Sequence, residues 1–203
     1  MSIILGAIAA IATAATTVVK SVAVIGLAIQ GLKAIGNALV SLGKALGLIK
    51  PEIKTEELGD KAIQSGYNPA DYDSYAEYVR DVENYELDPE KSKQISEEEK
   101  IKKGMELASG VMIEKYQDFP MEDFCIVVGQ NPDFFTEPKM KEIAKLVETD
   151  SQYISSILGY IDGSEKDDMK LQDIIDTLST VEKTTNPNLS DKDALKNVLE
   201  IRK

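Results

Sequence analysis

Large aliphatic residues recur at every seventh position through the first fifty residues, and a second apolar row follows three positions behind them. This spacing is the a/d pattern of helices that supercoil around one another. In the second half of the segment, Leu at a with Ile at d favours more than two strands. We therefore predict a homo-oligomer of more than two chains, joined along a seam of Ile4, Ile11, Val18, Ile25, Leu32, Ile35, Leu39, Leu42, Leu46 and Ile49.

Most other positions of this segment are apolar as well, and the charge pairs that flank a two-stranded coil are missing. A helix that is apolar nearly all round is buried on more than one side, so we expect a multi-helix bundle enclosed by other protein or by lipid. One helix over residues 3–49 fits this pattern, and so does a helical hairpin broken near Gly26 or Gly31. Residues 3–19 carry no charge, which is just long enough for a transmembrane helix.

Beyond Pro51 the chain alternates short helical patterns with turn signals. A short helix is expected within residues 52–66. Ser96 and Glu99 form a capping box that opens a helix reaching about residue 116. Later helices are expected to begin at Thr136, at Ser151, near residue 165 and at Ser190. Residues 124–128 fit either a buried strand or a short helix.

These patterns predict an all-α fold, with a long apolar N-terminal helix followed by a small acidic multi-helix domain. Residues 1–50 are expected to form the apolar segment that multimerises or lies near a membrane. Residues 51–69 are expected to be a linker with a short helix. Residues 70–203 are expected to be an acidic all-α domain of five to seven helices.

Charge separates the two parts of the chain. The whole sequence has 23 Lys and Arg against 35 Asp and Glu, a net charge of −12, yet residues 1–51 contain four lysines and no acid. Lys20, Lys33, Lys44 and Lys50 are therefore candidates for contact with an anionic lipid surface. The acidic balance of the remainder argues against nucleic acid as a partner.

Five of the eight tyrosines fall between residues 67 and 85. Tyr72, Tyr75 and Tyr78 are candidates for a docking surface, because Tyr is enriched in protein interfaces. The alternative, which we favour, is that Tyr75 and Tyr78 share a helical face with two valines and cover the domain's own core.

Few residues are suited to catalysis. The chain has no His and a single cysteine, Cys125, which excludes a His-dependent nucleophile, a His-containing zinc site and an internal disulfide. No glycine-rich phosphate motif occurs, and residues 162–167 do not match a calcium loop. Cys125 lies between apolar neighbours and is expected to be a buried, inert thiol. We expect no catalytic residue, cofactor or metal, and hence no enzyme.

The stretch AIAAIATAATTVVKSVAVIGLAIQGLKAIGNALVSLGKALG, residues 7–47, resembles the Ala/Gly/Ile/Val-rich helical stretches of phage tape-measure proteins and of related components in phage-tail-like injection particles. The resemblance is one of compositional character and matches no motif residue by residue. It implies a helical, multimeric segment that is enclosed by a tube or baseplate hub and can reach a membrane on release.

The expected function is that of a non-enzymatic structural component of a phage tail or phage-tail-like injection particle. Its expected partners are other copies of itself, other particle or tube proteins and membrane lipid. It would be made in the cytoplasm and reside in the assembled particle. The alternative is a membrane-active protein, holin-like or pore-forming, that inserts its N-terminal helix.

Overall fold

The computed structural model describes residues 2–24, 29–164 and 170–203. Over these ranges the chain forms eleven α-helices, one 3-10 turn at Pro69–Asp71 and no strand, so the all-α prediction is confirmed. The helices are α1 (Ser2–Val24), α2 (Ile29–Ala45), α3 (Thr55–Ser65), α4 (Tyr75–Asn84), α5 (Pro89–Ser92), α6 (Glu97–Lys115), α7 (Met121–Gln130), α8 (Glu137–Thr149), α9 (Gln152–Asp162), α10 (Leu171–Thr185) and α11 (Asp191–Glu200).

The turn and capping signals place most of these helices correctly. Ser96 accepts a hydrogen bond from the backbone of Glu99 while the Glu99 carboxylate accepts one from the backbone of Ser96, which completes the predicted capping box of α6. Residues 124–128, left open between strand and helix, lie in α7. The helix expected from about residue 165 is α10, and the first turn of that prediction lies outside the described residues. In the described part of 70–203 there are eight helices, because Asp88 caps an additional single turn, α5.

Helix α6 lies at the centre of the N-terminal half and contacts α1, α2, α3 and α4. Its contact with α3 brings the two backbones together at glycines. A Cβ atom on Gly59 would lie 1.8 Å from the carbonyl oxygen of Lys100, and one on Gly104 would lie 2.1 Å from that of Thr55. Only glycine allows this approach, because a side-chain carbon at either position would overlap a backbone atom of the neighbouring helix.

Helix α2 joins the two halves of the molecule. It packs against α3 and α6 on one side and against α7 and α8 on the other, while α8 in turn contacts α9 and α10. One continuous hydrophobic core runs from Ile8 in α1 through Leu39 in α2 to Val198 in α11. This packing differs from the predicted division at residue 50, since α2 belongs to the core of the acidic part.

Within the described residues, the structure shows no single long apolar N-terminal helix, and the break predicted near Gly26 lies outside those residues. The segment instead contributes α1 and α2, and both pack against α6. Helix α6 has 19 residues and is therefore only about 28 Å long at 1.5 Å per residue. Among the described residues, none of the helices combines the length and apolar character needed to span a membrane.

Candidate functional site

Helix α1 presents one side to the protein and the other to solvent. Ile8, Ala15, Val19 and Val22 are buried, and they lie three to seven residues apart on the side that faces α6, α4 and α7. The solvent side carries small side chains and no charge between residues 6 and 17. We call this surface the α1 outer face; its residues are Gly6, Ala7, Ala9, Ala10, Thr13, Ala14 and Thr17.

The threonines of the α1 outer face offer little polarity to solvent. The Thr13 hydroxyl donates a hydrogen bond to the carbonyl oxygen of Ala9 at 2.8 Å, and the Thr17 hydroxyl donates one to that of Thr13 at 2.8 Å. Their methyl groups extend an already apolar surface. Small residues spaced four apart allow another helix to approach closely, as they do between membrane helices.

A second apolar surface adjoins α1. A groove of about 450 Å³ lies between α1, the end of α3 and the first turns of α6. Val19, Ile63 and Ile95 contribute its apolar lining, and 37 % of Ile63 is exposed to solvent. Contiguous exposed apolar surface of this kind is characteristic of interaction sites.

The predicted seam residues divide between the two helices. Leu32, Ile35, Leu39, Leu42 and Ile49 are fully buried in the protein's own core, so the structure differs from the prediction that they contact other chains. The physical reason is that α6, α7 and α8 supply, within one chain, the partners that the heptad pattern requires.

The remaining seam residues lie elsewhere. Ile11, Val18 and Leu46 are half-buried and pack against the edge of the same core. The side chains of Ile4 and Ile25 lie outside the part of the chain that the structure describes. None of the seam residues whose side chains the structure describes therefore belongs to the α1 outer face, which consists of smaller residues.

The four N-terminal lysines do not form one basic surface. Lys33 makes ion pairs with Glu56 and Glu97, and Lys50 donates a hydrogen bond to the side chain of Asn84. Lys20 lines the groove beside α1, whereas Lys33 and Lys44 line a separate groove along α2. Among the four, only Lys33 and Lys44 line the same groove.

Two of the three candidate docking tyrosines are buried. Tyr75 and Tyr78 have 0 % and 1 % of their surfaces exposed, and their rings meet edge to face at 5.3 Å. They fill the space between α4 and α6, so the structure contradicts a docking role for them. Tyr72 is half-buried against Tyr78 at 5.6 Å, which leaves only its outer edge for a partner.

The groups that could support chemistry are sequestered or dispersed. Cys125 is buried, and burial raises the pKa of its thiol to about 12, so the thiol is protonated at neutral pH. Within the described residues, no three metal-ligating side chains cluster together.

Comparison of the chain with protein-family models, with curated proteins and with solved structures finds no match.

Proposed function

We propose that the protein is a non-enzymatic structural component that assembles with further copies of itself through the α1 outer face. The observation that carries this proposal is the exposure of an uncharged surface of Gly, Ala and Thr along a helix whose opposite side is anchored in the core. A monomer gains nothing by exposing such a surface to water, whereas a second helix packed against it would remove the surface from solvent.

The setting we propose is a phage tail or phage-tail-like injection particle. Support comes from the Ala/Gly/Ile/Val-rich character of residues 7–47, which resembles helical stretches of particle lumen and tape-measure proteins. In this arrangement α2 anchors the apolar segment in each chain, and α1 presents its outer face to neighbouring subunits. Other proteins of the particle would then surround the assembled helices.

Fractionation of producing cells tests the setting. Lysates are separated by sedimentation and, in parallel, by flotation with lipid, and the protein is followed with an antibody to its acidic part. We expect it in a fast-sedimenting particle fraction, where electron microscopy shows tubes or baseplates. Recovery in the floating lipid fraction would instead favour the membrane-active alternative, in which α1 inserts into a bilayer.

A further inference from the structure

The groove of about 450 Å³ beside α1 has a lining made mostly of carbon atoms. We call it the α1 groove; its ten residues belong to α1, α3, α6 and the turn before α6, and they surround Val19, Ile63 and Ile95. Ile63 is 37 % exposed and Ile95 is half-buried. Exposed apolar surface in a groove is characteristic of an interaction site.

The charges of the α1 groove are balanced within the chain. Three lysines line it and three glutamates lie in it or beside it, namely Lys20, Lys102 and Lys103 with Glu98, Glu99 and Glu106. A groove without net charge does not favour a charged ligand. It suits an uncharged segment, and residues 1–19 are the longest run of the sequence without a charged side chain.

The α1 outer face needs a further surface if it is to support assembly. It has seven residues, whereas each side of a stable protein interface comprises about 20–30. The α1 groove adds ten residues, and the two surfaces adjoin where Thr16 follows Thr13 along α1. Covered together, they bring seventeen residues of each chain into one interface.

One stripe of α1 connects the two surfaces. Gly6, Ala9, Thr13, Thr16 and Lys20 are spaced alternately three and four residues apart, so they lie along one side of the helix. The last two line the α1 groove, which places the first three on the groove side of the α1 outer face. Nothing lies within 4 Å of a Cβ atom on Gly6, so the space above this end of the stripe is open.

The charge of α1 favours one orientation for a second helix on this stripe. Lys20 is the single charged residue of α1. Two parallel α1 helices would bring their Lys20 side chains together, and like charges at such a distance repel. In an antiparallel pair, Gly6 and Ala9 of one copy lie beside Thr16 and Lys20 of the other. The smallest residues of each helix then meet the groove of its partner.

We propose that α1 of a second copy lies antiparallel along this stripe, with its N-terminal half in the α1 groove. The inference rests on the proposed assembly through the α1 outer face and names the surface that receives the helix. Ala7, Ala10 and Ala14 lie on the other flank of the α1 outer face. They are left for further copies, as an assembly of more than two chains requires.

Light scattering of the full chain tests this contact with one variant of each surface. Ile63→Glu places a charge in the α1 groove, and Ala9→Lys places one on the helix that enters it. Each variant should stay a 22.2 kDa monomer at a concentration at which the wild-type chain assembles, because a charge buried without a partner is costly. Leu195→Glu is the matched control: Leu195 is 41 % exposed but lies on α11, and this variant should assemble like the wild type.

A mixture of the two variants makes the test specific. When Ala9→Lys and Ile63→Glu chains pair, one groove receives an unaltered helix, and in the other groove the new lysine meets the new glutamate. We therefore expect an equimolar mixture to form a species of two chains that neither variant forms alone. If circular dichroism shows a lower unfolding temperature for Ile63→Glu, Ile63→Ala repeats the first test, and its half-assembly concentration should rise about threefold or more.

The outcomes separate this inference from the proposed function. A wild-type chain that stays monomeric, or an Ala9→Lys variant that assembles as well as the wild type, would overturn both. If Ala9→Lys is monomeric but the Ile63 variants assemble like the wild type, the groove receives some other partner and only the present inference fails. A mixture that remains monomeric would likewise overturn the antiparallel contact alone.

Discussion

Helices α1 and α2 are built from the same few residue types, yet they occupy opposite kinds of position. Both are rich in Ala and in the aliphatic residues Ile, Leu and Val, and both contain no acid. In α2, nine residues are buried, from Leu32 to Gly43, and its polar side chains line the groove that α2 shares with α3 and α8. In α1, the buried residues form one stripe flanked by half-buried residues, and the α1 outer face on the opposite side is exposed to solvent.

The difference lies in the neighbours and not in the helices themselves. Helix α2 is enclosed by α6 on one side and by α7 and α8 on the other, whereas α1 packs on one side only, mainly against α6. An apolar repeat indicates that a helix packs against partner helices. Whether those partners come from the same chain or from another depends on which other helices can reach it.

Removal of residues 1–50 should have the largest effect. The 51–203 fragment lacks α2 and exposes the sides of α6 and α8 that α2 covers. We therefore expect the fragment to bind a hydrophobic dye and to unfold gradually, without a sharp transition. Removal of residues 1–24 alone should leave a cooperative transition at a lower temperature, because α2 remains. A cooperative monomeric 51–203 fragment, measured by circular dichroism and light scattering, would restore the predicted division at residue 50.

The second-largest difference between α1 and α2 should appear when one charged residue is placed in each helix. Leu39→Asp buries a carboxylate without a partner at a position of 0 % exposure, and we expect a loss of about 4 kcal/mol or more in the free energy of unfolding. Ala14→Asp, on the α1 outer face, should change the free energy of unfolding of the monomer by about 0.5 kcal/mol or less. Urea unfolding of both variants provides the comparison, and similar losses in the two would contradict it.

Two glycines allow the same comparison with a single methyl group. The Cβ atom of Gly104→Ala would meet the Thr55 carbonyl oxygen at 2.1 Å, whereas nothing lies within 4 Å of a Cβ atom on Gly6. We expect Gly104→Ala to lower the free energy of unfolding by about 3 kcal/mol. Gly6→Ala should raise it by up to about 1 kcal/mol through better helix propensity. A harmless Gly104→Ala would mean that α3 and α6 do not approach as closely as described.

Acid should destabilise the contact between α3 and α6. It should not affect α1 directly, because α1 has no carboxylate. Asp60 is 3 % exposed and lies 2.8 Å from the Nζ atom of Lys100. Burial alone would raise the pKa of Asp60, but hydrogen bonds from Lys100, Ser92 and Gln64 outweigh it and hold that pKa below the ordinary value of 3.8. The stabilisation is therefore complete above the unfolded-state pKa and is lost as the pH falls through the lower folded-state pKa.

The free energy of unfolding should accordingly decline below about pH 4. Asp60→Asn should lower it by about 3 kcal/mol at neutral pH, because Lys100 loses its buried partner, and should make the acid decline shallower. Asp133→Asn, at an exposed carboxylate, serves as the control. An unchanged acid slope in Asp60→Asn would show that another carboxylate governs the decline.

Local signals in the sequence predicted much of the secondary structure. The capping box at Ser96, the Ser190 cap and the helix end at Asn186 each depend on residues within one helical turn, so no knowledge of the fold is needed to predict them. The partners of α2 could not be predicted this way, because α6 and α8 lie far away in the chain. The close approach at Gly104 had only a weak signal, an isolated glycine within a helical pattern.

Some residues of the candidate surfaces could be predicted from the sequence. The polar residues of α2 recur three or four positions apart and form a polar stripe on an otherwise apolar helix, namely Lys33, Asn37, Ser41 and Lys44. The heptad spacing of the apolar residues does not reveal this stripe. Lys54 joins them only through the fold. On α1, the predicted seam contained Ile11 and Val18, whereas the residues that turn fully toward the core include Ile8 and Val19.

Light scattering tests the central claim, that α1 and not α2 carries the assembly surface, most directly. Thr13→Lys lies at the middle of the α1 outer face, and Thr180→Lys is its match on α10. Both threonines are exposed, and each hydroxyl donates to a carbonyl oxygen four residues earlier at 2.8 Å.

The account predicts that the wild-type chain and Thr180→Lys have a mass several times that of the 22.2 kDa monomer. Thr13→Lys should have the mass of the monomer and the unfolding temperature of an intact fold, because a lysine prevents the close approach of a second helix. A wild-type chain that stays monomeric at every concentration, or a Thr13→Lys variant that assembles as well as Thr180→Lys, would contradict it.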